Sequence, residues 1–217
     1  MAFQKLEFNK LSESDMISRS QIFYDDIIKR RTVRDFSSKD VPVEIILNAV
    51  KSASSAPSGA NKQPWHFVIV KDPEVKKKIR VAAEKEEKQF YGYRAPEEWL
   101  KELNQFGTSW QKPFLETSPY LIVVFKINYD LDKGKRKKNY YVNESVGIAS
   151  GILLTALHWS GLSTLTHTPS PMGFLEKICN RPENERAYLL IPVGLPDKDA
   201  RVPILKKKKF NEYCEII

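Results

Sequence analysis

At 217 residues, 41% of them apolar and 11% aromatic, the chain is long enough to bury a real core and short enough to be one domain. No stretch approaches the roughly 18 uninterrupted apolar residues of a membrane span. The opening, MAFQKLEFNK, also lacks the apolar run of a secretory signal, so the expectation is a soluble cytoplasmic protein with no membrane partner. The formal charge of +8 raises the question of nucleic acid, but the lysines are interleaved with glutamates, as in KDPEVKKKIRVAAEKEEK, which describes a solvated helix face. Two denser runs, Lys133 to Lys138 and Lys206 to Lys209, can attract phosphates, yet no aromatic-basic stacking platform accompanies them; the expectation is no nucleic-acid partner. Cys179 and Cys214 have no metal-ligand spacing and are expected to be reduced and structural, with no metal bound.

Taken in chain order, Ser12 to Lys29 carries Met16, Ile17, Phe23, Ile27 and Ile28 at helical spacing and runs into the cluster Arg30-Arg31-Thr32-Val33-Arg34. Pro42 opens a second amphipathic helix through Ala53, which stops before Pro57-Ser58-Gly59. His66 to Val70 reads as a buried strand, and Asp72-Pro73-Glu74 sets cap, proline and acid in the order of a helix start. From about Glu84 to Pro113 the composition turns to charged residues interleaved with Phe90, Tyr91, Tyr93, Trp99, Phe106 and Trp110, too aromatic for a disordered linker. Tyr120 to Ile127 is a second buried strand, followed by a lysine-rich loop. Asn143 to Ser160 is a helix apolar nearly all round, which must find cover on most sides; a second copy of the chain can supply part of it. Leu162 to Thr168 and Leu189 to Val193 read as further strands, with a short helix at Phe174 to Cys179 between them. The last residues form an extended basic tail. The alternation argues an α+β or α/β sandwich, and no glycine-rich dinucleotide loop follows any strand.

Three constellations can carry chemistry. The Arg30 to Arg34 cluster offers guanidinium forks suited to a phosphate, or, more simply, a solvated helix C-terminus. Pro57 to Trp65 is a turn-forming string with a hydroxyl, free backbone amides and two amide side chains, either a plain connector or a loop able to approach a flat heterocycle. Glu87 and Tyr91, four apart, can share one helix face, either as an ordinary surface pair or as part of a site, with Lys112 following on the segment Thr108 to Phe114.

Together these segments resemble the nitroreductase superfamily: Arg-Arg-Thr-Val-Arg, then Ala-Pro-Ser-Gly-Ala-Asn-Lys-Gln-Pro-Trp, with agreement to the end of the chain. The resemblance implies an α+β fold with a central, mostly antiparallel sheet flanked by helices, an intertwined homodimer, and flavin mononucleotide (FMN) at the subunit interface. It implies that Arg30, Arg31, Thr32 and Arg34 hold the flavin's phosphate and ring edge, with Pro57, Ser58 and Asn61 beside the ring. Thr164 to Pro169 resembles the segment along the flavin's N5 edge, so Thr166, His167 and Thr168 are implied cofactor contacts, and Thr168 is the hydroxyl expected to bond N5. The insert at about 84–113 resembles the lid of the iodotyrosine deiodinase branch, where Glu87, Tyr91 and Lys112 grip the charged end of a halotyrosine and the Ala60 amide holds its phenolate. A carboxylate accepts from an ammonium, while a phenol and an ammonium donate to a carboxylate. In the tail, at about 200–217, Lys207 stands where that branch carries an arginine on the phosphate, supplying the charge without the fork.

The implied activity is reductive dehalogenation of 3-iodotyrosine to tyrosine and iodide, with NAD(P)H or another reductant as electron source. Two competing readings stay open at this stage. One is a general NAD(P)H-dependent nitro or quinone reductase; the other, of a different class, is a basic nucleic-acid-binding module.

Overall fold

The structure, a computed structural model, describes residues 2–217. The chain divides into a short unit ending at Arg30 and a larger one, Arg31–Ile217. The short unit contains helix α1, Glu13–Ile27, whose start is set by Ser12: its hydroxyl oxygen accepts from the Asp15 amide at 3.2 Å. None of the residues of α1 is buried, and Met16, Ile17 and Phe23 stay exposed.

The larger unit is built on one four-stranded sheet, in order β1 (Trp65–Val70), β2 (Tyr120–Ile127), β6 (Glu185–Gly194) and β5 (Ser163–Thr164), antiparallel throughout. Alternation along β2 sends Ile122 and Val124 to one face and Leu121, Val123 and Phe125 to the other. On the first face pack α2 (Val43–Ser54), through Ile46, Ala49 and Ala53, and α6 (Val142–Trp159), through Val146, Ala149, Leu153 and Leu157. On the second pack α3 (Pro73–Gln89), through Ile79 and Ala83, with α5 (Phe114–Thr117) and α7 (Gly173–Ile178), through Leu115 and Leu175. This is the α+β arrangement expected, a central antiparallel sheet covered by helices on both faces. Each fully buried leucine or isoleucine here contributes about 1.5–3 kcal/mol relative to exposure.

The helix start at Asp72-Pro73-Glu74 forms as its residues dictate: the Asp72 carboxylate accepts from the Val75 amide at 2.9 Å, and Pro73 occupies the first helical turn. After Gln89 the helix widens into a π-helical turn, Phe90–Arg94, before α4 (Glu97–Asn104).

Three expectations need correction. The lysine-rich stretch is a hairpin, β3 (Tyr129–Asp132) and β4 (Lys135–Lys138); Lys133 and Gly134 both take positive φ, 48° and 78°, as a two-residue turn of matching twist requires. The strand expected from Leu162 to Thr168 is only Ser163–Thr164. Its ladder breaks opposite Pro192 of β6, which has no N–H to give, and contact resumes where His167 and Leu190 exchange backbone hydrogen bonds at 2.8 and 3.0 Å. The strand expected to be buried, β1, lies at the sheet edge with its middle residues only half covered. By contrast, α6 needs no correction: it buries one face and leaves Ile148 46% exposed on another, so one chain supplies only part of the cover its sequence calls for.

Candidate active site

The cavity that matters lies where the C-terminal end of α3 meets the segment following β5. Its volume is about 480 Å³, and its lining includes Arg34, Glu87, Tyr91, Trp99, Thr108, Lys112, Phe114, Thr166, His167 and Thr168. The π-helical turn lets Tyr91 follow Glu87 into the same space. Phe90 stands edge-to-face on Trp99 at 5.1 Å between ring centres and forms an aromatic wall beside them.

Lys112 arrives from a separate segment and is 4% exposed. Its ammonium pairs with Glu87 Oε2 at 3.2 Å, donates to Thr108 Oγ1 and to the Ser109 carbonyl, and lies 5.4 Å from the centre of the Tyr91 ring. Its backbone amide donates to Glu84 Oε1 at 2.7 Å. Burial raises the Glu87 carboxyl pKa despite the opposing attraction of Lys112, and burial likewise lowers that of Lys112 against the pull of Glu87. Both shifts favour the neutral forms, so water removal outweighs the pair's mutual attraction. Tyr91 is raised, first by burial, and Arg34 is lowered by burial.

Past β5 the chain rejoins β6 at the isolated bridge between His167 and Leu190. Thr166 and Thr168 are exposed while His167, between them, is buried, and all three line the cavity. The His167 ring packs edge-to-face on Phe114 at 5.7 Å, and its Nε2, without a hydrogen-bond partner among the described residues, lies 3.9 Å from Glu87 Oε1. Burial pushes its pKa down to about 3, with the Lys112 and Arg34 charges adding to the effect, so at neutral pH the ring is uncharged. The titratable lining therefore carries two cations, Arg34 and Lys112, against one carboxylate, Glu87, and favours a ligand with excess negative charge.

The structure thus gathers Arg34, Glu87, Tyr91, Lys112, Thr166, His167 and Thr168 around one cavity. It leaves other candidates elsewhere. Thr32 bridges to Thr164 alongside β5, and the Arg31 guanidinium donates to the Pro203 carbonyl, tying the start of the tail to the larger unit. Arg30 closes the short unit. Pro57, Ser58, Ala60 and Asn61 do not line the cavity, and neither does Lys207, which is exposed.

The Pro57 to Asn61 loop is held by its own bonds. Ser58 Oγ accepts from the Gln63 amide at 2.9 Å, and the Asn61 and Lys62 amides donate to Ser58 and Gly59 carbonyls, so the supply of free amides is smaller than the sequence suggests. Ala60 and Asn61 take φ of 50° and 52°. A Cβ on Gly59 would stand 2.9 Å from Tyr141 Cδ2, and Lys62 pairs with Asp130 of β3 at 3.1 Å, which fixes the loop against the hairpin corner.

Sequence reasoning missed Glu84, Arg80, Thr108 and Phe114. The first two were legible in part, since Arg80, Glu84, Glu87 and Tyr91 follow one another at helical intervals along one face. Thr108 and Phe114 carry no local signal; they reach the cavity only because their segment folds back over α3.

The nitroreductase family model matches residues 27–195. Iodotyrosine deiodinase of Haliscomenobacter hydrossis is 59% identical over 195 residues, covering 89% of this chain and 88% of the relative. Iodotyrosine deiodinase 1 of Homo sapiens is 45% identical over 206 residues, covering 94% and 71%. Among solved structures, an oxidized iodotyrosine deiodinase bound to FMN and 3-iodo-L-tyrosine superposes with a TM-score of 0.76 at 37% identity, over 89% of this chain and all of that one (100%). A BluB-like flavoprotein from Clostridium difficile, at 23% identity and a TM-score of 0.66 over 89% and 98%, shares the fold. The family match over most of the chain and the identity to these relatives agree with the sheet topology and cavity: the chain belongs to the nitroreductase family, in its iodotyrosine deiodinase branch.

Proposed function

We propose that this chain is an FMN-dependent enzyme that removes halide from 3-halotyrosines. The observation that carries the reading is the convergence of Glu87, Tyr91 and Lys112 on the same cavity as Arg34 and Thr168. One carboxylate, one phenol and one ammonium form the donor and acceptor set that the ammonium and carboxylate of an amino acid require. The relatives that carry the deiodinase name, one of them solved with FMN and 3-iodo-L-tyrosine, support the same choice.

The donor set fits FMN. Arg31, Thr32 and Arg34 lie near the start of the larger unit and offer two guanidinium forks and a hydroxyl to a phosphate, with Arg30 and Lys207 as further cations. Thr168, exposed at the cavity, offers its hydroxyl to the flavin's N5, with Thr166 and His167 beside it. When held there, FMN would supply the two electrons that, with one proton, are needed to convert an aryl iodide into the aryl hydrogen and iodide.

The protein's own part is to bind, orient and exclude water. In this reading Glu87 accepts from the substrate ammonium, while Tyr91 and Lys112 donate to its carboxylate. The Glu84 to Pro113 segment acts as the lid that completes the site and shuts out solvent. An ortho halogen acidifies the phenol below its usual value of about 10, and the Ala60 amide is the donor assigned to the resulting phenolate. Pro57, Ser58, Ala60 and Asn61 stand outside the cavity of their own chain. A second copy supplies them, which makes the enzyme a homodimer with shared sites. NAD(P)H, acting directly or through a carrier, is the proposed electron source, in the cytoplasm.

The test is to purify the protein, record its visible spectrum and assay iodide release from 3-iodotyrosine with dithionite as reductant. A flavin spectrum with stoichiometric iodide is expected. A yellow protein that reduces nitroarenes rapidly but frees no iodide would overturn the substrate, and a colourless one the cofactor.

A further inference from the structure

Glu84 lies three residues before Glu87 on α3, so both carboxylates project from one side of the helix. Its Oε1 accepts from the backbone amide of Lys112 at 2.7 Å and from Arg80 Nε at 2.8 Å. Arg80 in turn reaches Glu116 Oε1 at 3.3 Å, on the short helix that follows Lys112. Lys112 is therefore held twice by the same helix, its main chain by Glu84 and its ammonium by Glu87.

The two holds do different work. A lysine side chain has a flexible four-carbon stem, and an ion pair at its tip leaves its root free to wander. Residues 105–113 lie outside any helix or strand, and the other main-chain bond at that root, from the Leu115 amide to the Lys112 carbonyl at 3.1 Å, only ties it to the short helix that follows and not to α3. A charge-assisted bond from the main chain to a carboxylate already clamped by a guanidinium fixes it instead.

We propose that Glu84, braced by Arg80, is the positioning residue that sets Lys112 opposite Glu87 and thereby determines selectivity for the amino-acid end of the substrate. The inference rests on the halotyrosine reading for its functional half, while its structural half stands alone. Glu84 does not line the cavity and touches no reacting atom, so it acts entirely through Lys112.

The test compares Glu84→Ala and Glu84→Gln with the parent holoenzyme by two readouts. The first is hydrogen exchange at the Lys112 amide. Glu84→Ala is expected to speed exchange about tenfold, and Glu84→Gln, whose amide oxygen still accepts, to restore most of the protection. The second is turnover of 3-iodotyrosine against 2-iodophenol, which has the ring and halogen but no zwitterion. Glu84→Ala is expected to raise KM for iodotyrosine about tenfold with kcat near the parent value and iodophenol turnover unchanged, again with rescue by Gln. Unaltered Lys112 exchange in Glu84→Ala overturns the brace; an equal loss on both substrates assigns Glu84 to general stability and overturns the selectivity role. If the parent enzyme frees no iodide from either compound, the substrate reading has failed, and the exchange measurement decides the brace by itself.

Discussion

Lys112 Nζ and Glu87 Oε2 stand 3.2 Å apart with their side chains 4% and 12% exposed, so the two charges proposed to grip a substrate neutralise each other inside the protein. Burial drives both pKa values toward the uncharged forms, which means the pair is held at a cost that the surrounding fold must bear. On the proposed function, a zwitterion entering the cavity would replace this internal contact with two external ones of the same kind, at little new desolvation on the protein side.

The pair therefore sets stability against function. Glu87→Leu leaves a buried ammonium without its counter-ion and should cost about 3–5 kcal/mol in denaturant unfolding. Adding Lys112→Met should recover that loss, to the parent stability or about 1–4 kcal/mol above it. The double variant should bind FMN normally and 3-iodotyrosine at least about tenfold more weakly, since both grips are gone. A double variant no more stable than Glu87→Leu would show that the pair is not strained by burial.

His167 gives the protein an acid-labile point. Its pKa falls from 6.5 to about 3 on folding, so in the intervening range the unfolded chain takes up a proton that the folded one refuses. Stability from the neutral ring is thus complete above pH 6.5 and is lost progressively as pH falls toward about 3. The raised Glu87 runs in the opposite sense: its contribution is complete below pH 4.5 and lost as pH rises through its folded value. His167→Phe keeps an aromatic ring to set against Phe114 and removes the titratable group, together with its approach to Glu87. Melting temperature plotted against pH should fall less steeply below pH 6.5 in this variant than in the parent; parallel curves would remove His167 from the acid response.

Ile148 on α6 is 46% exposed, and Tyr141 at the start of that helix is 72% exposed beside the Pro57 to Asn61 loop. If a second copy covers this face, a charge there opposes association. Ile148→Glu should elute as a monomer in gel filtration and lose its flavin in the same step, because each proposed site draws residues from both chains. A yellow monomer would contradict shared sites.

Gly194 ends β6 where a Cβ would stand 2.5 Å from Pro119 Cδ and 3.0 Å from Pro119 Cγ. Neither atom belongs to a side chain free to rotate away. Gly194→Ala should cost about 1–3 kcal/mol through overpacking, read as a lower denaturant midpoint at constant m-value. An unchanged midpoint would mean that the strand end yields.

What the sequence alone determined about this protein is whatever is settled within a few residues. Asp72, Pro73 and Glu74 start a helix wherever they fall, because cap, fixed φ and dipole act locally. The run of β2 reads as a strand from its apolar residues alone, and Glu87 and Tyr91 share a side of α3 and its π-helical extension by spacing alone. The Lys133-Gly134 turn was equally local and is a signal that a period-two reading of Tyr129 to Asp132 would have caught. Only the tertiary structure decided that Lys112 folds back onto Glu84 and Glu87, that His167 is buried against Phe114 while its two threonine neighbours stay open, and that the Pro57 to Asn61 loop lies outside its own chain's cavity. Those placements follow from how α3 and α5 pack on one face of the sheet and α2 and α6 on the other, and no residue-to-residue rule within a short window contains that information. The pKa shifts belong to the same class, since burial is a property of the assembled core and is absent from the isolated side chain.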